Sequence, residues 1–124
     1  MLNQNQQYGQ KSEDLAARYL KKKGYEILQR NYRTRLGELD IIARDGQAIV
    51  FVEVKARKTE RAGSVKSSIT KTKQIKITRL AQHYLKQTGT YNVKVRFDVV
   101  VIKGEGESVE LFKNAFNAVF DVSV

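Results

Sequence analysis

The sequence predicts an α/β sandwich with a mixed central sheet flanked by helices, and three observations carry that reading. Apolar residues recur at helical spacing in two separate segments, 12–23 and 70–87. Strand-like runs occupy 37–44, 47–58 and 93–102, the last alternating before it turns solidly apolar. The resulting order is α-β-β-β-α-β-β, in which a helix joins two groups of strands. A chain of 124 residues with 41% hydrophobic content is expected to form one domain over residues 1–124, with a core of its own.

Each element has its own signal. Residues 1–8 are polar and are expected to be flexible. The first helix, SEDLAARYLKKK, takes Ser12 as N-cap, places its acids in the first turn and its lysines in the last, and stops at Gly24. Leu15, Ala16, Tyr19 and Leu20 form its apolar stripe. Tyr25–Leu28 reads as a short strand. Gly37–Arg44 and Gln47–Lys58 follow as a hairpin about Asp45-Gly46, a strong two-residue turn signal. A loop over Thr59–Ser68 leads to the second helix, where Ile77, Leu80, Ala81, Tyr84 and Leu85 keep the i, i+3, i+4, i+7 spacing and Gly89 lies past the end. VKVRFDVVVI alternates and then turns solidly apolar, as a strand entering the sheet centre does. A last short strand lies around Val109–Phe112.

The hairpin carries the chemistry. With Arg44 paired to Gln47, Asp40 lies opposite Phe51 and Glu38 opposite Glu53. Glu38, Asp40, Phe51, Glu53, Lys55 and Arg57 then share one face, while Ala48, Val50, Val52, Val54 and Ala56 point to the core. Asp40 is diagonal to Glu53 at about 7–8 Å, so both carboxylates can reach one divalent ion. A surface hairpin with polar alternate residues would show the same periodicity. The apolar flanks LDII and AIVFVEV argue against it, because ionisable groups set among them are desolvated unless they share a partner.

Composition narrows the chemistry further. Without cysteine there is no disulfide, thiolate zinc site or cysteine nucleophile, and a single histidine, His83, leaves no two-histidine metal motif. Carboxylate, hydroxyl and lysine chemistry remain, with Mg²⁺ or Mn²⁺ as the metal such a chain could hold. Net charge is +10, and residues 54–86 hold 10 basic groups against Glu60 alone. A solvated basic face is one reading of that segment; a surface for a polyanion such as DNA is the other. The longest apolar runs are about five residues against the ~20 that span a bilayer, so no membrane partner is expected. The N-terminus lacks the apolar core of a signal peptide, so the expected location is cytoplasmic.

Asp40 followed by Glu53-Val54-Lys55 resembles the bipartite signature of the PD-(D/E)XK, or restriction-endonuclease-like, nucleases. The match is wider than these three residues. Gly9 and Glu13 in GQKSEDLAARYL, Asn31 and Arg33 in NYRTRLGELDII, FVEVKAR, SITKTKQIKI and RFDVVVI together resemble the YraN family over about residues 9–118. These are small bacterial proteins of that expected fold, similar to archaeal Holliday-junction resolvases and without a defined biochemical role. The resemblance implies that Asp40 and Glu53 are metal ligands, that Lys55 is the catalytic lysine, and that Glu13 also reaches the metal. Glu13 is otherwise simply a first-turn helix acid. Glu38 is either part of the site or a partner for Arg33 or Arg57. Lys73, four residues before Ile77, aims inward as an auxiliary phosphate or site residue, while Lys71 and Lys76 face solvent.

Arg33, Arg35, Arg57, Lys58, Lys66, Lys71 and Lys76 are the expected nucleic-acid contacts. Asp98 and Arg96 share a face and are expected to form a structural ion pair, and His83 is expected to be structural or exposed. The leading expectation is a metal-dependent nuclease acting on DNA, branched or repair-related. The alternatives are a nucleic-acid-binding protein of the same fold that makes no cuts, and an adaptor that uses the basic segment on an acidic protein or membrane. Related resolvases work as homodimers, although no feature of this sequence marks such an interface.

Overall fold

The computed structural model describes residues 2–57, 69–106 and 108–119. Helix α1 (Gln4–Lys22) is followed by strands β1 (Glu26–Thr34), β2 (Gly37–Asp45) and β3 (Ala48–Arg57), helix α2 (Lys71–Thr88), and strands β4 (Lys94–Lys103) and β5 (Ser108–Phe112). This is the expected element order. The five strands lie in sequence order in one sheet. Pairing is antiparallel from β1 to β3, parallel between β3 and β4, and antiparallel again to β5. The parallel step requires a crossover, and α2 lies within it.

The two helices lie on opposite faces of the sheet. Ala16, Ala17 and Leu20 of α1 pack against Ile41, Ala43, Val50, Val52, Val100 and Ile102. Ile77, Leu80 and Ala81 of α2 pack against Ile42, Ile49, Phe51 and Phe97. Both side-chain sets of β3 are therefore buried, which is why its sequence is nearly continuous in apolar residues. Beside α2, Val99 and Val101 are covered by Ile69 and by Phe112, Ala115 and Phe116 of the C-terminal segment.

Three expectations are corrected. First, α1 begins at Gln4, not after Ser12. Asn3 forms a capping box with Gln6, its Oδ1 accepting the Gln6 N–H at 2.8 Å and its own N–H donating to Gln6 Oε1 at 3.0 Å. Ser12 is buried in mid-helix, where its Oγ donates to the Tyr8 carbonyl. Residues 4–8, expected to be flexible, are the first turns, and the Tyr8 hydroxyl donates to the Gly104 carbonyl across the β4–β5 turn.

Second, β1 extends to Thr34, well past Leu28. It is an edge strand whose second half is polar apart from Tyr32, so it lacks the apolar alternation that marks a half-buried strand. Third, the β2–β3 turn is Gly46-Gln47, with Asp45 paired to Ala48 and Ile42 to Phe51. Gly46 has φ +60 and neither Asp45 nor Gln47 has a positive φ. That pattern suits a turn with glycine at its first central position; a turn centred on Asp45-Gly46 would require positive φ at Asp45 as well.

The expected Arg96–Asp98 ion pair is present, with Nε to Oδ1 at 2.9 Å. Asp98 is fully buried and also accepts from the Tyr25 hydroxyl at 2.8 Å and the Asn114 N–H at 3.0 Å. Burial and the Asp98 carboxylate push the Tyr25 hydroxyl well above its usual range, so it stays a donor. His83 is exposed and meets the Tyr32 hydroxyl through Nδ1.

Candidate functional site

β2 and β3 are regularly paired from their turn as far as Ile41–Val52. Leu39 and Ile42 then both enter the core on the α2 side, although they are three residues apart. Strict alternation would put them on opposite faces, so β2 departs from regular pleating at Asp40. Asp40 makes use of that break. Its Oδ2 accepts the Val54 N–H at 2.8 Å, holding the carboxylate against β3 where the two strands stop pairing regularly.

On β3, Glu53 is the adjacent carboxylate and is 7% exposed. Phe51 before it packs under α2, and the same face carries Glu53 to Lys73 at the start of that helix, with Nζ to Oε1 at 2.9 Å. Lys73 thus points inward as expected, whereas Lys71 and Lys76 are exposed. Lys55, the next residue on this face of β3, is half-buried. Val54 and Ala56 pack on the α1 side, again as expected.

The electrostatics follow from this crowding. Burial, and then the charge of Glu53, raise the Asp40 carboxyl to about 7, although the Val54 hydrogen bond opposes them. Burial and the neighbouring Lys73 lower Lys55. Burial alone would lower Lys73 too, but the hydrogen bond to Glu53 and the charges of Glu53 and Asp40 outweigh it and raise it.

Glu13 and Glu38 form a second acidic pair, and here the expected common face fails. The break at Asp40 turns Leu39 towards α2, so Glu38 faces the other way, towards Glu13 of α1. Asn31 of β1 stands between them. With its amide nitrogen turned to the two carboxylates it donates to Glu38 Oε1 at 2.8 Å and Glu13 Oε1 at 2.9 Å. Asn31 holds φ +54, a left-handed conformation that asparagine tolerates better than most residues. Arg33 pairs with Glu38 at 3.0 Å, as one of the expected alternatives had it. Arg30 pairs with Asp14 at 2.7 Å and lies 3.9 Å from Glu13. Burial raises the Glu13 carboxyl, with Arg30 opposing and Glu38 adding to the rise.

The bracing by Arg30 and Asn31 is the part of the site that sequence reasoning missed. The sequence offers Asn31 only as part of NYRTRLGELDII, with no role of its own. Its place at a positive φ in an otherwise extended strand could not be read from its neighbours.

Among the described residues, no group of three or more His, Cys, Asp or Glu side chains is placed to hold an ion together. Asp40 and Glu53 are a pair, and Glu13 acts on them through its charge. A pair fits Mg²⁺, which is bound by one or two carboxylates, keeps several waters and takes substrate phosphate oxygens as further ligands. The desolvation of Asp40 beside Glu53 is itself a reason for the site to favour a cation.

The expected nucleic-acid contacts differ in exposure. Arg33, Arg35, Lys71 and Lys76 are exposed and Arg57 is half-buried; Lys58, Lys66 and the Thr59–Ser68 loop lie outside the described residues. The Lys76 side chain lies across Gly37, where a Cβ would come within 3.2 Å of its Cδ, so it flanks the β1–β2 turn. A groove of about 860 Å³ opens between α1 and β1 beside Glu13 and Glu38, with Arg30 and Arg33 among its lining residues. No described helix is long and apolar enough to cross a membrane.

Comparison with known proteins places the chain among close relatives. A model described as "Uncharacterised protein family UPF0102" matches residues 12–102. A UPF0102 protein of Desulfosudis oleivorans is 59% identical over 118 residues, covering 95% of this chain and 96% of that protein. Similar proteins in Syntrophus aciditrophicus and Caldicellulosiruptor saccharolyticus are 43% and 46% identical, covering 96% and 87% of this chain and 95% of each relative.

Proposed function

The chain belongs to the uncharacterised protein family UPF0102, the YraN family of the sequence reading, and on that premise we propose that it is a metal-dependent nuclease hydrolysing DNA phosphodiesters. The observation that carries the proposal is the Asp40–Glu53 pair, desolvated where β2 and β3 cease to pair, with the ammonium groups of Lys55 and Lys73 on the same side. A protein that only bound phosphate would be hindered by two carboxylates at that position, since they repel it unless a cation intervenes.

Asp40 and Glu53 would hold Mg²⁺ or Mn²⁺, which when bound lowers the pKa of water and offsets charge on the scissile phosphate. The residues themselves have distinct tasks. The Val54 N–H fixes one Asp40 oxygen, so the other would be the one to hold the ion. Lys55, whose proton is made easier to lose by burial and by Lys73, donates a hydrogen bond to the attacking water or to a phosphate oxygen as charge develops there. The exposed cations Arg35, Lys71 and Lys76 would take neighbouring phosphates.

The test is a cleavage panel of single strands, duplexes, flaps and four-way junctions with Mg²⁺ or Mn²⁺, using Asp40→Asn and Lys55→Ala as controls. Metal-dependent cutting by the wild type that falls by about 100-fold or more in both variants supports the proposal. Equal cutting by wild type and variants would place the activity elsewhere. Binding that weakens steeply with salt, without cutting of any substrate, would favour the non-catalytic reading.

A further inference from the structure

Lys73 stands where helix physics disfavours it. It is the third residue of α2, in a first turn that contains no acid, and a cation there opposes the helix dipole. The turn is nonetheless firmly built: Thr70 Oγ1 caps the Lys73 N–H at 3.2 Å, and Gln74 Nε2 donates to the Ile69 carbonyl at 3.0 Å. What this fixed turn delivers is an ammonium 2.9 Å from Glu53, a carboxylate 7% exposed that would otherwise be a buried, unpaired charge. The Lys73 side chain is itself 40% exposed, so it lies at the border of solvent, unlike Glu53. Lysine suits a contact that must be given up. Its charge sits at the tip of a flexible four-carbon stem, without the two-pronged grip of arginine.

We propose that Lys73 is the resident cation of the carboxylate pair: its ammonium neutralises Glu53 until a divalent ion takes its place. This rests on the reading of Asp40 and Glu53 as metal ligands. A divalent ion held by both carboxylates and an ammonium at hydrogen-bond distance from Glu53 would repel each other, so the ion enters as Lys73 leaves. The metal-free protein is thereby spared an unpaired buried carboxylate, and metal affinity is set by competition within the chain.

The test is Mn²⁺ titration by calorimetry into the whole chain without DNA, with thermal melting before and after. Lys73→Met should bind Mn²⁺ roughly tenfold to a hundredfold tighter than wild type, the worth of one hydrogen bond to a charged group. It should also melt lower without metal and gain more on adding Mn²⁺. Lys86→Met, which removes an exposed charge from the last turn of the same helix, should stay within about twofold. Lys73→Gln, which keeps a donor without the charge, should fall between wild type and Lys73→Met and serves if the methionine variant does not fold. Asp40-dependent Mn²⁺ binding that is equal or weaker in Lys73→Met overturns the role of Lys73 alone. Binding that is absent, or unchanged in Asp40→Asn, overturns the metal site and the role of Lys73 with it.

Discussion

At the scale of single residues, the site is a set of charges whose positions depend on one break in one strand. Asp40, Glu53 and Lys55 could be picked out from alternation and from their apolar flanks. The departure at Asp40 could not, because LDII reads the same with or without it, and it moves Glu38 from the expected face to the other. Asn31 then becomes the residue that reconciles Glu13 with Glu38, through an amide and a left-handed backbone. The two contributions can be separated. Asn31→Gly keeps the backbone conformation and loses the amide, and Asn31→Ala loses both. We expect Asn31→Ala to lower stability by about 1–2 kcal/mol more than Asn31→Gly does, the cost of φ > 0 for a residue with a Cβ. Denaturant unfolding reads this directly; equal losses in the two variants would mean that the backbone conformation contributes nothing.

The elements were legible wherever burial set their pattern. The sequence marks the stripe of α2 and the apolar run of β4 because the core demands those residues, and Thr70 and Gly89 because capping does. The first turns of α1 and the second half of β1 were missed because polar, largely exposed residues form them, held by caps and edge pairing that leave no apolar period. That difference predicts where α1 is weakest. Asn3→Ala removes the capping box and should cost about 1 kcal/mol of helix stability. In hydrogen exchange, the amides of residues 6–9 should lose protection while those of 16–20, packed on the sheet, keep theirs. Uniform loss along α1 would show that the cap supports the whole helix.

At the scale of the whole molecule, two charge systems have different uses. Asp98, Arg96, Asp45 and Tyr25 tie β4 to the β2–β3 hairpin and to the α1–β1 junction, and they are satisfied within the protein. The Arg96 hydrogen bond, with help from Lys113, holds the Asp45 carboxyl below its usual range. A depressed carboxyl stabilises the fold above its unfolded pKa of about 4, and that contribution is lost as pH falls through the folded value. Asp45→Asn should therefore reduce stability at neutral pH by a few tenths to about 1 kcal/mol, given the partial exposure of the pair, and the difference from wild type should shrink as pH falls through the acid range. Melting curves across pH check this, and an effect that grew as pH fell would reverse the assignment. The second system is the excess of positive charge. Ten of the 23 basic residues lie in residues 54–86, beginning directly after the carboxylate pair, and Arg35, Lys71 and Lys76 are exposed. The sequence alone located that charge; the pairing of Lys73 with Glu53 required α2 to be docked on the sheet.

The central claim is that Asp40 and Glu53 turn this basic surface into a hydrolytic site. It is tested most directly by the initial rate of DNA cleavage in Mn²⁺ for wild type and Asp40→Asn, purified in parallel and shown to melt alike. The account predicts cutting that chelation stops and that Asp40→Asn lacks, because asparagine can still accept the Val54 N–H but carries no charge for the ion. Cutting at the same rate in Asp40→Asn, or no cutting by the wild type on any substrate, would contradict it.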